Sequence, residues 1–321
     1  MKNNVLITSV GRRVELVKAF QHDLKRFFPG AKVFTIDMQP ILSAACQIAD
    51  GYWAVPSVTD EHYLDVLLDL CLKNNIGMVI PTIDTELMVL TENCKVFGDE
   101  GIHVIISSEK LIASCRDKRK TAAFFESIGV RSPEIFDKTQ LTFPCFAKPY
   151  DGSSSAGAET LLSEEQLTSH ILNDKKIMFM ELIDDSHTEY TVDAYYSKEG
   201  TLRCLIPRER IEVRGGEVSK GVTRKNEVYD YLLPACKKVT GARGCLTIQL
   251  FANLDQDSFY GLEINPRFGG GFPLTYSAGA HYPSWLISEY LDGNDVGFYD
   301  QWETDLLMLR YDDKKLISGY V

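Results

Sequence analysis

The sequence lacks the marks of a secreted, membrane-bound or nucleic-acid-binding protein. Its eight cysteines, at 46, 71, 94, 115, 145, 204, 236 and 245, include no C-x-x-C pair. Several sit inside apolar runs such as "YLDVLLDLCLKNN", which reads as buried, reduced thiols rather than a disulfide framework or a zinc site. No long apolar run exists either. The opening "MKNNVLITSVG" meets a glycine too early for a signal peptide or a membrane span. Basic charge is scarce, with a formal net charge of −11, which excludes the usual electrostatic footprint of a nucleic-acid binder and disfavours anionic membranes. Together these absences predict a protein of the reducing cytoplasm. An anionic substrate would need a local positive site set against the global field. There is no internal repeat, and no low-complexity segment longer than "GSSSAG".

Two nucleotide-binding signatures are missing as well. "ITSVGRR" offers only Gly11 where a dinucleotide fingerprint needs G-x-G-x-x-G, and Asp37 lies 26 residues on rather than about 20. Gly11 to Arg13 read as a tight turn or as the opening of a helix, and the resemblance carried by the later motifs implies that this helix N-terminus holds a substrate anion. The loop after Lys148 is not G-x-x-x-x-G-K-[ST], so it is not a Walker P-loop.

What is present is a large apolar fraction, 45% of 321 residues, enough for a sizeable core and two domains or more. Strand and helix patterns alternate from "NVLITSVGRRVELVKAF" to "IHVIISS", predicting a parallel sheet covered on both faces over residues 1–108. A helical stretch ends at Gly129. "FPCFAKPYDGSSSAGAETLLSEEQL" follows as a strand, a small-residue loop and a helix start, then "KIMFMELID" as a strand. "TEYTVDAYYSKEGTLRCLIPRERIEV" alternates with period two and turns at Lys198 to Gly200. "RGCLTIQLFANLDQDSFYGLEINPR" reads as a hairpin around "NLDQDS", and "HYPSWLISEYLDG" as a last helix before a short tail.

That hairpin carries the strongest chemistry. Side chains two apart share a strand face, so Glu263 and Asn265 point the same way and Arg267 follows if the chain stays extended. Gln249 on the partner strand faces this pair. An acid and two amide oxygens are hard ligands of the kind Mg²⁺ takes, and Arg267 adds a planar fork for phosphate. The alternative is a polar outer face on an edge hairpin. Leu262, Ile264 and the partner "CLTIQLF" favour a central, buried sheet. Gly269 to Gly271 leave the backbone bare, which would let a substrate carboxylate approach. Lys148 ends a short apolar strand before a loop of backbone amides and hydroxyls suited to phosphate. Glu181 and Glu189, taken singly, read as solvated residues more readily than as ligand contacts.

In order along the chain, Asp117-Lys118, "FAKP" with its small-residue loop, "MELI" with Glu189, Gln249 and "EINPR" resemble the ATP-grasp superfamily. The likeness covers nearly the whole chain. It is nearest to one ATP-grasp unit of the carbamoyl-phosphate-synthase large subunit. "PRERIEVRGGEVSKGVT" is similar to small carboxylate–amine ligases, including the pyrrolysine-pathway enzyme.

The resemblance implies an α/β and α+β fold. A Rossmann-like parallel-sheet pre-ATP-grasp domain (1–108) precedes a two-subdomain ATP-grasp fold, with a small lid subdomain and linker helix (109–186) and a large subdomain with the metal site (187–321). It implies that Lys118 and Lys148 hold the ATP phosphates with Ser153 and Ser154 of the loop. Glu181 and the backbone of Leu182 and Ile183 would meet adenine, and Glu189 the ribose. Gln249, Glu263 and Asn265 would bind one or two Mg²⁺ ions, with Mn²⁺ as a substitute, and Arg267 would steady the transferred phosphoryl group.

The implied reaction is ATP-dependent ligation of a small carboxylate to an amine, or to a thiol, through an acyl phosphate. Phosphorylation of bicarbonate or carbamate and a non-catalytic ATP-binding module are the rivals. The chain has one ATP-grasp unit where carbamoyl-phosphate synthetases have two, and no regulatory domain. Gln249 in place of an acid leaves a second metal one charged ligand short. His281 reads as a substrate wall or structural residue. The resemblance allows a homodimer and calls for neither nucleic acid nor membrane.

Overall fold

A computed structural model describes residues 2–152 and 157–320, and three sheets organise them. The first is parallel throughout. Its strands are Asn4–Ile7 (β1), Val33–Asp37 (β2), Gly51–Ala54 (β3), Ile76–Ile80 (β4) and His103–Val104 (β5), in the order β3-β2-β1-β4-β5. Helices Val14–Phe27 (α1), Tyr63–Lys73 (α2) and Asp84–Asp99 (α3) connect them. The central strands are apolar on both faces, as a covered parallel sheet requires, and Val5, Leu6 and Ile7 are fully buried. The sequence patterns locate four of the five strands. Strand β3 escapes them because it is a short edge strand in which only every second residue is partly sheltered. "IHVIISS" pairs over only two residues.

Helices Glu109–Arg116 (α4) and Lys118–Ile128 (α5) lead to the second sheet. Asp117 caps α5, its side chain accepting from the Arg119 amide at 3.0 Å. This small antiparallel sheet holds Ile135–Phe136 (β6), Cys145–Pro149 (β7), Glu159–Leu161 (β8) and Ile177–Glu181 (β9) in the order β6-β9-β7-β8. A short helix, Ser169–Asn173 (α6), packs on its own apolar cluster.

The third sheet is antiparallel and six-stranded. It contains Thr188–Tyr196 (β10), Leu202–Arg214 (β11), Glu217–Thr223 (β12), Gly244–Asn253 (β13), Ser258–Asn265 (β14) and Leu307–Leu309 (β15), ordered β14-β13-β10-β11-β12-β15. Helices Glu227–Cys236 (α7), Phe272–Ser277 (α8) and Tyr282–Ile287 (α9) accompany it. Alternation splits its faces. Val192, Ala194, Ile248, Leu250 and Ala252 point into the main core, which also takes in α1 and one side of the first sheet. Glu189, Thr191, Gln249 and Arg208 point the other way and line a cavity.

The tail is shorter on structure than a full element but is not loose throughout. It adds β15 to the sheet and buries Trp302. All eight cysteines are free. Six are buried, Cys115 is partly so and Cys94 is exposed. No helix among the described residues is long and apolar enough to cross a membrane.

Candidate active site

The site is built across the hairpin of β13 and β14. Their register sets Gln249 opposite Glu263 and Thr247 opposite Asn265. The next pair is Leu250 with Gly261, so Leu262 is an extra residue, a bulge on β14. The bulge has a consequence for the wall of the site. Leu262 leaves the core alternation and lines a cavity together with its neighbour Glu263, while Ile264 stays buried. β14 is also the edge of its sheet rather than a central strand, which corrects the expectation drawn from its apolar residues. Its edge is covered instead by α5 and the chain after it. The Gly261 amide donates to the Arg131 carbonyl at 2.8 Å, and a Cβ on Gly261 would stand 2.9 Å from the Phe125 ring.

Glu263, Asn265 and Arg267 do form one row. The Asn265 amide donates to Glu263 Oε1 at 3.0 Å, and the Arg267 guanidinium donates to Asn265 Oδ1 at 3.1 Å. The same guanidinium nitrogen binds Asp84 Oδ2 at 2.8 Å, so the first residue of α3 reaches across to this row. Cross-strand pairing extends the row sideways: Glu263 faces Gln249, Gln249 faces Thr191, and Thr191 faces Arg208. All four line a cavity of about 720 Å³.

A second cavity of about 240 Å³ adjoins it. The two share Lys118, Gly152, Glu189, Gln249 and Glu263 in their walls. Apolar side chains Phe146, Met180, Phe251 and Leu262 line the smaller one, with Lys148, Glu181, Leu182 and Ile183. Sheet pairing places these residues: Phe146 on β7 faces Met180 on β9, and Glu189 on β10 faces Phe251 on β13. Glu181 also receives the Glu134 backbone amide at 3.2 Å. Ser153 and Ser154 lie outside the described residues.

The electrostatics are those of a cleft built for anions. Burial and the nearby Lys118 lower the Lys148 pKa to about 8, while Glu263 pulls it back up. Lys118 donates to the Gly152 carbonyl, and its own amide bonds the Tyr150 carbonyl at 3.0 Å. Burial raises the Glu189 pKa; Arg210, its ion-pair partner, opposes that rise and Glu263 adds to it. The Nε–H groups of Arg208, Arg210 and Arg267 are buried without a partner among the described residues. Buried donors are seldom left unpaired in a native fold.

The donors Gln249, Glu263 and Asn265 suit a hard cation: one carboxylate and two amides on a shared wall, with no sulfur or imidazole. Among the described residues no group of three Asp, Glu, His or Cys gathers to hold a metal, and Glu263 is the one charged member of this donor set.

The triple glycine lines the larger cavity, but the space over it belongs to the protein's own side chains. A Cβ at Gly269 would stand 3.0 Å from Thr247, at Gly270 2.8 Å from the Glu217 carboxylate, and at Gly271 2.1 Å from the Arg208 guanidinium. Arg208 is itself tied to the fully buried Asp193 at 2.9 Å, which also accepts from Thr247 at 3.1 Å and Thr275 at 2.6 Å. Sequence reasoning missed Arg208, Arg210, Asp84 and Glu217. The period-two run "PRER" already put Arg208 and Arg210 on one strand face; Asp84 carried no such signal, since its partner is 183 residues away. Asp37 is occupied locally, accepting from the Gly11 amide at 3.0 Å and the Gln39 amide at 3.1 Å. His281 stacks edge-on against Tyr276 and does not line either cavity.

Comparison with known proteins agrees with this architecture. A family model described as the PylC-like N-terminal domain matches residues 5–105, and one described as ATP-grasp in the biosynthetic pathway with Ter operon matches 173–310. The D-alanine–D-alanine ligase of Prochlorococcus marinus is 27% identical over 186 residues, covering 48% of this chain and 50% of that one. The match thus spans about half the length of this curated relative.

Among solved structures, the biotin carboxylase domain of Hydrogenobacter thermophilus 2-oxoglutarate carboxylase, in complex with MgADP, ADP and bicarbonate, superposes with a TM-score of 0.73. The identity is 16%, covering 94% of this chain and 73% of that one. The L-amino acid ligase of Bacillus licheniformis gives 0.67 at 14% identity (91% and 75% covered). N5-carboxyaminoimidazole synthetase of Staphylococcus aureus gives 0.67 at 15% (91% and 78%). The ordered motifs, the two matching family models and the shared fold agree: residues 173–310 match an ATP-grasp family model, and residues 5–105 match the N-terminal domain of a PylC-like one.

Proposed function

We propose that the chain is an ADP-forming ligase that joins a small carboxylate to an amine at the cost of ATP. The observation that carries this reading is the shared wall: Lys118, Glu189, Gln249 and Glu263 border both cavities. The smaller cavity takes the nucleotide, with adenine between the apolar side chains near Glu181, Leu182 and Ile183, ribose at Glu189, and phosphates at Lys148 and Lys118. The larger takes the carboxylate and the amine. Gln249, Glu263 and Asn265 would hold Mg²⁺, which supplies charge neutralisation on the phosphates when bound.

The carboxylate oxygen attacks the γ-phosphorus, ADP leaves, and an acyl phosphate forms. The amine then attacks the acyl carbon, phosphate departs and an amide remains. Arg267 faces this transfer and offers its fork to the developing charge, as phosphoryl transfer depends mainly on positioning and electrostatics. A volume of about 720 Å³ is far more than bicarbonate or carbamate needs, and favours a larger acceptor.

In this reading residues 1–108, 109–186 and 187–321 act as pre-ATP-grasp, lid and large units, each built round its own sheet. The protein works on small molecules in the cytoplasm, as a monomer or a homodimer. The test is a screen of carboxylates with amines for substrate-dependent ADP release, with the product identified by mass spectrometry. ATP turnover that no carboxylate stimulates would sink the ligase assignment.

A further inference from the structure

Helix α3 starts without a side-chain cap. Its N-cap position is Ile83, which offers no acceptor to the first amides. A carboxyl group inside the first turn anchors the helix instead. Glu86 is fully buried and borders neither cavity. Its Oε2 accepts from Thr8 Oγ1, just past the end of β1, at 2.7 Å. Its Oε1 accepts from the Tyr63 hydroxyl on α2. Thr82 ties in the segment after β4, donating from Oγ1 to the Thr8 and Ser9 carbonyls at 2.9 Å. Thr8, Tyr63 and Thr82 are buried with it.

Both partners of Glu86 are neutral hydroxyls, and it makes no ion pair among the described residues. A carboxyl group buried without a cation is a costly way to hold a helix end, since a serine or asparagine cap would do so near the surface. What the arrangement adds is direction. Asp84 and Glu86 are two residues apart in the first turn, roughly 200° round the helix axis. One therefore faces the sheet while the other faces the larger cavity. Asp84 lines that cavity and binds Arg267 Nη2 at 2.8 Å. The guanidinium is otherwise held by Asn265 Oδ1 at 3.1 Å and the Phe268 carbonyl at 3.3 Å, both from its own stretch of chain. Among the described residues, Asp84 is the one brace on Arg267 that comes from another sheet.

We propose that Glu86 is a positioning residue: through the first turn of α3 it fixes where Asp84 holds the Arg267 fork, and so aligns that fork with the transferring phosphoryl group. This rests on the ligase reading for the role of Arg267. Glu86 borders neither cavity, so it acts only through Asp84. A shift of about 1 Å in a group that meets the reacting atoms can cost about a hundredfold in rate, even when the change that causes it is far from the chemistry.

The test uses the intact protein with MgADP and fluoroaluminate, which mimics a phosphoryl group in transfer. Calorimetry gives the affinity for MgADP alone and the gain in affinity when fluoroaluminate is added. Wild type, Glu86→Gln, Tyr63→Phe, Asp84→Asn, Arg267→Lys and the Glu86→Gln, Asp84→Asn double variant are compared. The gain should fall about ten- to a hundredfold in Glu86→Gln and by less in Tyr63→Phe, with MgADP affinity unchanged. In the Asp84→Asn background, Glu86→Gln should cost little more, because both substitutions act on one path. If Glu86→Gln fails to fold, Tyr63→Phe, which leaves α3 untouched, decides by itself. A gain that stays undiminished in the folded variants overturns the proposal. Loss of MgADP affinity that accounts for the whole effect overturns it too, as does a loss fully additive with that of Asp84→Asn, since either would make Glu86 a structural support alone. A gain that Arg267→Lys abolishes and Glu86→Gln leaves intact would sink this inference and spare the ligase reading. A wild type that binds MgADP but gains nothing from fluoroaluminate would remove the phosphoryl-transfer role of Arg267, and this inference with it.

Discussion

Two side chains, Arg267 and Lys148, carry the most specific chemical consequences. Arg267 is held by Asp84 and Asn265, with its Nε–H left over. If that fork meets charge only as the phosphoryl group transfers, Arg267→Lys should cost about 10²–10³ in kcat. MgATP affinity and the unfolding midpoint should move little, because lysine keeps the charge. A large fall in midpoint with near-normal kcat would instead make Arg267 a brace between α3 and the hairpin. Lys148 gives a pH dependence. Its folded pKa of about 8 lies below the ordinary 10.5, so between those values the unfolded chain holds a proton that the folded one has lost. Stability without ligand should therefore rise with pH across that window. Phosphates need the charged lysine, so MgADP affinity should fall as pH passes about 8, with proton uptake on binding. Lys148→Arg should flatten that profile. Calorimetry in buffers of different ionisation heat reads both, and a pH-independent affinity in the wild type would contradict the assignment.

For the β13–β14 hairpin, the decisive fact is register. Gln249 opposite Glu263 is what turns three scattered hard donors into one wall, and a slip of one residue would send them to the core face. Glu263→Gln keeps the shape and the strand, so folding should stay intact while Mg²⁺-dependent turnover is lost. Turnover at the wild-type rate would remove Glu263 from the site. The triple glycine after the hairpin is tested separately. A methyl group at Gly271 would collide with Arg208 and stand 2.7 Å from Val218, in a part of the wall already fixed by Asp193. Gly271→Ala should destabilise by about 1–3 kcal/mol, the usual cost of overpacking, read as a lower urea midpoint. An unchanged midpoint would show that Arg208 has room to move.

For the whole molecule, the two cavities lie where sheets from all parts of the chain meet: Arg13 and Asp84 from the first, Lys148 and Glu181 from the second, Glu189 to Asn265 from the third. A ligand there binds only the folded chain. MgADP at about a hundredfold above its Kd should therefore raise stability by about 2.7 kcal/mol. Chelation with EDTA should remove most of that gain, while the ligand-free protein ignores the chelator. Stabilisation by ADP that EDTA leaves intact would argue against Gln249, Glu263 and Asn265 as metal ligands.

Local pattern alone determined much of this. The βα alternation, the period-two strands, the hairpin around "NLDQDS" and the row of Glu263, Asn265 and Arg267 are all short-range, and short-range regularity is what a sequence displays. Lys148 at its strand end and Glu189 at the head of β10 are legible for the same reason. Tertiary structure decided the rest. It put the β13–β14 hairpin at the sheet edge under α5 and displaced Leu262 into the smaller cavity by a bulge. It brought Asp84 to Arg267 across 183 residues and Arg13 to the Thr82 carbonyl. Strand order, edge cover and contacts between sheets depend on which surfaces meet, and no local run of side chains encodes that.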